Sequence, residues 1–330
     1  MTTVHMKRIR IGVLGCANIA HRSMIPAILN LPELFKLIAI ASRTAKKAAE
    51  FSKYFGCEAV VGYDALIERE DIDALYVPLP TGMHYEWVGK AISAGKHVYV
   101  EKSFASNVID CKSLIRMAEK NGVALMEGYM FLYHKQHSFV AEMIRAGELG
   151  ELRHFYGSFG FPPLPVGDFR YDPLLGGGVL MDAAGYPLRA AQHFAPNDLM
   201  VRAATIRRDP ATLSSLWGSA YLSDGLGFGA SIAFGFDNAY QCRYEIWGSL
   251  AKVTSERAYT AGPDLHPKIY IEKNGTKREI VLEAHNHFVA ALENFNALIW
   301  DRSQSFLHNG QILNQSLLLE EINRLSLICG

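Results

Sequence analysis

From residue 9 to about residue 126, short apolar, β-branched runs alternate with longer amphipathic stretches. "IRIGVLG" leads into 18–31, "KLIAIAS" into 44–55, "DALYVPLP" into 83–94 and "HVYVEKS" into 107–121, and "ALMEGYM" closes the series. Apolar runs this short, separated by helical periodicity, predict βαβ units, and so a parallel sheet with helices on both faces.

The rhythm changes after about residue 127. One helix-like stretch (135–146) is followed by the strand-like "RHFYGSFGF" and a glycine-led apolar stretch near 178–194. Strand-like runs then follow at 199–208, 214–223, 228–236, 242–248, 268–273 and 278–282, before two amphipathic segments near 285–300 and 309–327. Strands grouped ahead of helices predict an α+β layer structure. The expectation is an α/β Rossmann domain over 1–126, then an α+β domain over 127–330 with a large, mostly antiparallel open sheet. No Pro/Gly/Ser-rich linker divides them, which predicts that the halves pack closely.

Composition narrows the class of partner. The 330 residues are 49% hydrophobic and 20% charged, with Lys plus Arg equal to Asp plus Glu at 33 each, as in a globular protein. Basic residues occur in runs no longer than a pair, so no nucleic-acid or membrane-surface role is expected, and the partner should be a small molecule. No segment approaches the roughly eighteen apolar residues of a membrane span, and "MTTVHMKRIR" lacks the apolar core of a signal peptide, so the expected location is cytoplasmic. Cys16, Cys57, Cys111, Cys242 and Cys329 show no CxxC spacing and are expected to be buried small side chains in a reducing compartment. "HKQH" offers His134 and His137 at a helix start without a third ligand nearby, so no metal is expected.

The turn after the first strand, "GCANIA", sets Gly15, Ala17 and Ala20 where a dinucleotide fingerprint has its three small residues. Gly15, Cys16, Ala17, Asn18 and Ile19 are the expected pyrophosphate contacts, with the N–H groups of a helix starting near Asn18 facing the anion. The second strand ends in "ASRTAKK" and not in the acid that would take an adenosine ribose. Ser42 and Arg43 suit a 2′-phosphate, helped by Lys46 or Lys47, so the expected cofactor is NADP(H). Ligands of such sheets sit beyond the carboxyl ends of the strands. Leu79 and Pro80 of "PLPTGMH" are expected to flank the nicotinamide, with His84 at the next helix start and Tyr63 and Glu101 completing the cofactor contacts.

At "EKS" the chain resembles the glucose–fructose oxidoreductase / inositol dehydrogenase (Gfo/Idh/MocA) family, whose motif there is Glu-Lys-Pro; Glu101 and Lys102 match and Ser103 departs. The likeness continues through "AGKHVYVEK", "MEGYMFLYHKQH", "GELGELR" and "GGGVLMDAAGYP". It implies that Asp182 and, four residues on, Tyr186 face the nicotinamide, that Arg170 of "GDFRY" lies near the cofactor, and that Tyr240 of "NAYQCRY" lines the substrate face. "GCANIAHRSMIPAI" and "GDFRYDPLLGGGVLMDAAGYPLRAA" are most similar to NADPH-dependent sugar 3-ketoreductases of dTDP-deoxysugar biosynthesis. NADP-dependent xylose and dihydrodiol dehydrogenases share much of the pattern, and some relatives are non-catalytic dinucleotide-binding regulators.

Hydride addition to a ketone leaves an alkoxide that needs a proton and a positive neighbour. Lys102 and Tyr186 are the expected catalytic pair, and a lysine ammonium near the phenol would favour phenolate and lower its pKa. Pro187 should disfavour helical geometry at Tyr186, and the proline replaced by Ser103 can hold a cis bond. "LLGGGVL" should permit close backbone packing. Aromatic runs in the strand-rich half predict an open sheet face covered in a homodimer or homotetramer.

Overall fold

The computed structural model describes residues 8–326. Packing divides the described chain into two compact units: residues 8–128 with 288–313, and residues 129–287 with 314–326.

The first unit holds strands β1 (Ile9–Leu14), β2 (Phe35–Ser42), β3 (Glu58–Val61), β4 (Ala74–Val77), β5 (His97–Val100) and β6 (Leu125–Glu127). They pair in parallel in the order β3-β2-β1-β4-β5-β6. Helices α1 (Ile25–Leu29), α2 (Ala45–Phe55), α3 (Tyr63–Ile67), α4 (His84–Ser93) and α5 (Val108–Asn121) make the crossovers. β4 is buried at every residue, as expected of a sheet covered on both faces. β3 and α3 were not anticipated: "EAVV" is four residues long, mostly exposed and at the sheet edge, too short to show a periodicity. The strand order reverses around β1, so the loops after β1 and β4 flank the switch point where such sheets take ligands. Helix α8 (His287–Trp300) contributes Phe295, whose ring meets Tyr99 edge-on at 5.7 Å.

The second unit carries an eight-stranded sheet of β7 (Leu152–Gly160), β8 (Met200–Arg208), β9 (Ser215–Ser223), β10 (Gly229–Gly235), β11 (Gln241–Gly248), β12 (Lys252–Ser255), β13 (Lys268–Lys273) and β14 (Thr276–Val281). Its order is β14-β13-β12-β11-β7-β10-β9-β8, and every pair is antiparallel except β7 with β10. The four-residue β12, like β3, is too short to leave a pattern in the sequence. Along β7, Phe155 is buried while Tyr156 is exposed, so the sheet has one covered and one open face. Helix α6 (Lys135–Arg145) follows the predicted segment, α7 (Gly185–Phe194) forms in the glycine-led apolar stretch to which no helix was assigned, and α9 (Arg302–Ser326) closes the described chain.

Two wide, π-type helical turns stand out: Ala20–Met24 runs into α1, and Leu180–Ala184 runs into α7. Each is followed within three residues by a proline, Pro26 or Pro187. A proline inside a helix has no N–H to donate and clashes with the carbonyl four residues back, and a widened turn moves that carbonyl away. The expectation that Pro187 keeps Tyr186 out of helical geometry is therefore corrected: Tyr186 is the second residue of α7.

The isolation expected of "HKQH" is also corrected. His285 and His287, far along the chain, bring their rings within 5.3 and 5.9 Å of His134. Among the described residues no group of three or more His, Cys, Asp or Glu is arranged to hold a metal ion. Cys16, Cys111 and Cys242 are buried and Cys57 is half-buried, while Cys329 and residues 1–7 lie outside the described residues. No described helix is long and apolar enough to cross a membrane.

Candidate active site

The turn after β1 depends on Gly15. Its φ of +130° lies in the region that favours glycine, and a Cβ there would stand 2.9 Å from Leu79 Cδ2. The backbone thus leaves β1 directly over the residue expected to flank a nicotinamide. Asn18, where helical structure begins, is exposed, and the start of a helix is where N–H groups lack partners within the helix. Cys16 is buried, its thiol donating weakly to the Ala41 and Lys47 carbonyls at 3.8 and 3.7 Å, and burial pushes its pKa up.

At the end of β2, Ser42 is buried and Arg43 exposed. Tyr63 sits close by: burial raises its phenol pKa, and the charge and hydrogen bond of Arg43 pull it back down. An exposed cation beside two hydroxyls at the tip of the second strand fits the 2′-phosphate of NADP(H). Cys16, Ser42, Arg43 and Tyr63 therefore come together at or past the ends of β1, β2 and β3.

His84 requires a correction. It is fully buried, with Nδ1 2.8 Å from the Ser103 carbonyl and Nε2 2.8 Å from the Leu79 carbonyl, so both ring nitrogens face the protein and it offers nothing to a cofactor. Burial, foremost, lowers its pKa. Glu101 accepts a hydrogen bond from the Tyr76 hydroxyl at 2.7 Å. Lys102 follows, part-exposed beyond the end of β5, and its peptide bond to Ser103 is cis, the isomer a proline there can hold.

In the second unit, Asp182 lies in the wide turn before α7 and pairs with Arg170, Nε to Oδ1 at 3.3 Å. Arg170 is also held by Asp168 at 3.1 Å, a partner that no sequence pattern announced. The two acids raise the Arg170 pKa although burial opposes them. Gly176 lets this loop close on itself, since a Cβ there would fall 2.5 Å from the Arg170 Cα. Tyr186 is buried in an aromatic surround of Phe159 (4.8 Å), Tyr129 (5.5 Å), Phe131 (5.8 Å) and Tyr259 (6.0 Å). Tyr240 is exposed just ahead of β11; its hydroxyl accepts from Arg257 at 2.9 Å and lies 3.0 Å from Thr260 Oγ1, contacts equally silent in the sequence.

Residues 9–129 match an oxidoreductase family with an NAD-binding Rossmann fold, and residues 137–254 match the GFO/IDH/MocA C-terminal domain. The chain is 43% identical over 289 residues to a dTDP-3,4-didehydro-2,6-dideoxy-alpha-D-glucose 3-reductase from Saccharopolyspora spinosa, covering 88% of this chain and 87% of that one. It is 32% identical to a D-xylose 1-dehydrogenase (NADP(+)) from Haloferax volcanii, covering 76% and 77% of the two chains. The fold superposes with a TM-score of 0.92, at 38% identity and over 97% and 98% of the chains, on a 3-ketoreductase from Actinomadura kijaniata solved in complex with NADP and TDP-benzene. That ketoreductase has also been solved, with the same ligands, as its own Y186F and K102A variants. With both halves matched and a relative this similar along most of its length, the chain belongs to the Gfo/Idh/MocA oxidoreductase family.

Proposed function

We propose that this protein reduces the C3 ketone of a dTDP-linked keto-deoxysugar, using NADPH. The observation that carries the reading is an exposed arginine, Arg43, beside Ser42 at the end of β2, on the same sheet as a part-exposed lysine, Lys102, just past the end of β5, one strand from the switch point. Likeness to dTDP-sugar 3-reductases at 43% and 41% identity supports the substrate class. The turn from Gly15 to Ile19 holds the pyrophosphate, Ser42, Arg43 and Tyr63 take the 2′-phosphate, and Leu79 and Pro80 border the nicotinamide. NADPH, when bound, supplies the hydride. Lys102 and Tyr186 then serve the ketone oxygen, the ammonium stabilising the charge that develops there and one of the two giving up its proton. The same residue types were altered, under the same numbers, in the solved ketoreductase variants, which supports this assignment. Tyr240 is assigned to the substrate face, and Arg170 with Asp182 to the cofactor side.

The open face of the second unit's sheet suits a second copy of the chain. Ser158, Ser219, Ser231 and Ala233 floor a shallow trough of about 630 Å³, and Tyr156 and Tyr221 stand half-exposed along it. A face of small residues with aromatic anchors fits a homodimer contact.

The test is steady-state oxidation of NADPH with a dTDP-3-keto-deoxysugar, with free D-xylose plus NADP as the second arm. Turnover of the nucleotide sugar alone is expected. No oxidation above blank would overturn the reading, and NADP reduction by free xylose would replace it with an aldose dehydrogenase.

A further inference from the structure

The peptide unit that follows Lys102–Ser103 is gripped at both ends. Its carbonyl, Ser103 O, lies 2.8 Å from His84 Nδ1. Its N–H, on Phe104, donates to Glu127 Oε1 at 2.8 Å. The two grips come from different elements, His84 from the start of α4 and Glu127 from the end of β6. Both side chains are almost completely enclosed, at 0% and 3% exposure, and Ser103 and Phe104 are buried between them. On the other side of the lysine, Tyr76 donates to Glu101 at 2.7 Å.

We infer that His84 and Glu127 are positioning residues that fix the Ser103–Phe104 peptide plane and thereby set where Lys102 delivers its proton. A peptide unit is rigid, so holding its oxygen and its nitrogen leaves it no rotation. The next backbone freedom toward the active site belongs to the stretch that carries Lys102, and Tyr76 limits it from beyond. The second ring nitrogen of His84 reaches Leu79 O at 2.8 Å, tying the same clamp to the loop assigned to the nicotinamide. A neutral imidazole carries one N–H and so donates to one of these carbonyls at a time, while both carbonyls pull toward the protonated ring against the effect of burial. Glu127 is a costly residue to enclose, because a buried acid needs compensating partners. Its contact with a backbone N–H one residue past Ser103 gives it a purpose in this protein. The inference rests on the proposed ketoreductase reading only for the identity of the proton acceptor.

The experiment uses the full chain saturated with NADPH, in four variants: Glu127→Gln, Glu127→Ala, His84→Ala, and Glu127→Ala combined with Lys102→Ala. A glutamine keeps an oxygen for the Phe104 N–H, so Glu127→Gln should retain kcat to within about threefold, whereas Glu127→Ala and His84→Ala should each lose roughly thirty- to a hundredfold, the scale of a 1 Å misplacement. KM for NADPH should move less than about threefold, because the phosphate turn is untouched. In the Lys102→Ala background, Glu127→Ala should cost no further kcat, because its action runs through the lysine. Equal losses in the Gln and Ala variants, or an undiminished further loss without Lys102, overturn the inference. Hydrogen exchange at the Phe104 amide needs no turnover: it should accelerate in Glu127→Ala and stay slow in Glu127→Gln. A wild type inactive on every keto sugar removes the substrate reading alone. Slow Phe104 exchange in both Glu127→Ala and His84→Ala removes the clamp alone.

Discussion

Acid should unfold the second unit through its enclosed histidines. His134, His137 and His287 are all buried, and desolvation holds their rings neutral: His134 is lowered to about 4, His287 to about 3, and His137 well below the ordinary value. The local chemistry explains the resistance to protonation. His134 Nδ1 accepts the Gln136 N–H at 3.1 Å, capping α6, so adding a proton there removes the cap. At His137 burial, foremost, does the work, since the Ala258 carbonyl 2.9 Å from Nε2 favours the proton and only partly offsets it. In the unfolded chain each ring titrates near 6.5. A base whose folded pKa is depressed binds fewer protons native than unfolded, so its contribution is complete above about pH 6.5 and is lost as pH falls toward 4 and 3. Each such ring contributes about 1.4 kcal/mol per pH unit in that window. Part of each shift is mutual repulsion, since His134 itself lowers His287, so two protons' worth is the defensible slope, about 3 kcal/mol per pH unit. Falling from pH 6.5, that removes about 4.5 kcal/mol by pH 5 and about 7.5 kcal/mol by pH 4, which exhausts a fold at the lower end of the usual range of about 5–15 kcal/mol. Urea unfolding at pH 8, 7, 6 and 5, followed by tryptophan fluorescence, measures it directly, because Trp217 and Trp247 lie in this unit. Wild type should be flat from pH 8 to 7 and then fall. His287→Gln should fall less steeply by about 1.4 kcal/mol per unit. A stability unchanged between pH 7 and pH 5 would refute the reasoning.

Three further outcomes are expected. Gly15→Ala places a methyl group 2.9 Å from Leu79 Cδ2 at a φ of +130°, so isothermal titration should show NADPH binding weakened by about tenfold or more, at a strain cost of about 1–3 kcal/mol. Arg43→Ala should raise KM for NADPH at least about tenfold while leaving KM for NADH within about twofold, since only the former has a 2′-phosphate to lose. Tyr221→Arg, on the open sheet face, should shift sedimentation from dimer to monomer without lowering the melting temperature of the monomer, because the side chain is 43% exposed within one chain.

The parallel sheet was legible, β3 excepted, because its strands are largely buried apolar runs, and Gly15, Ser42, Pro80 and Lys102, at or just past the strand ends, each have an evident chemical use. What could not be read shares a physical cause, because periodicity reports that a face is buried and is silent about what buries it. Nothing in "FNALIW" announces that Phe295 meets Tyr99, and nothing in "AHNHF" announces that His285 and His287 close on His134. Glu127 was overlooked for a related reason. A single acid inside an apolar strand carried a signal, the cost of enclosing it, but its partner is a backbone N–H, which no side-chain pattern encodes.

The two prolines show where a sound local rule gives way. The residue before a proline avoids helical geometry because the ring crowds its backbone, yet Ile25 and Tyr186 are both helical. In both places the preceding turn is widened, and before Pro187 the segment is rich in small residues, Ala183, Ala184 and Gly185. Small side chains let a wide turn pack without a void or a clash. At Gly185 this is directly visible, because a Cβ would collide with the Tyr129 hydroxyl and stand 2.7 Å from its Cζ. The Gly185 carbonyl accepts from Gln315 Nε2 at 3.0 Å, and Tyr129 packs its ring edge-on against Tyr186. The proline, the widened turn, the glycine and the aromatic surround are therefore one device that seats Tyr186 on a helix and holds its ring from several sides. At Tyr186, then, the proline is to be read together with the widened turn ahead of it, which lets the helix survive.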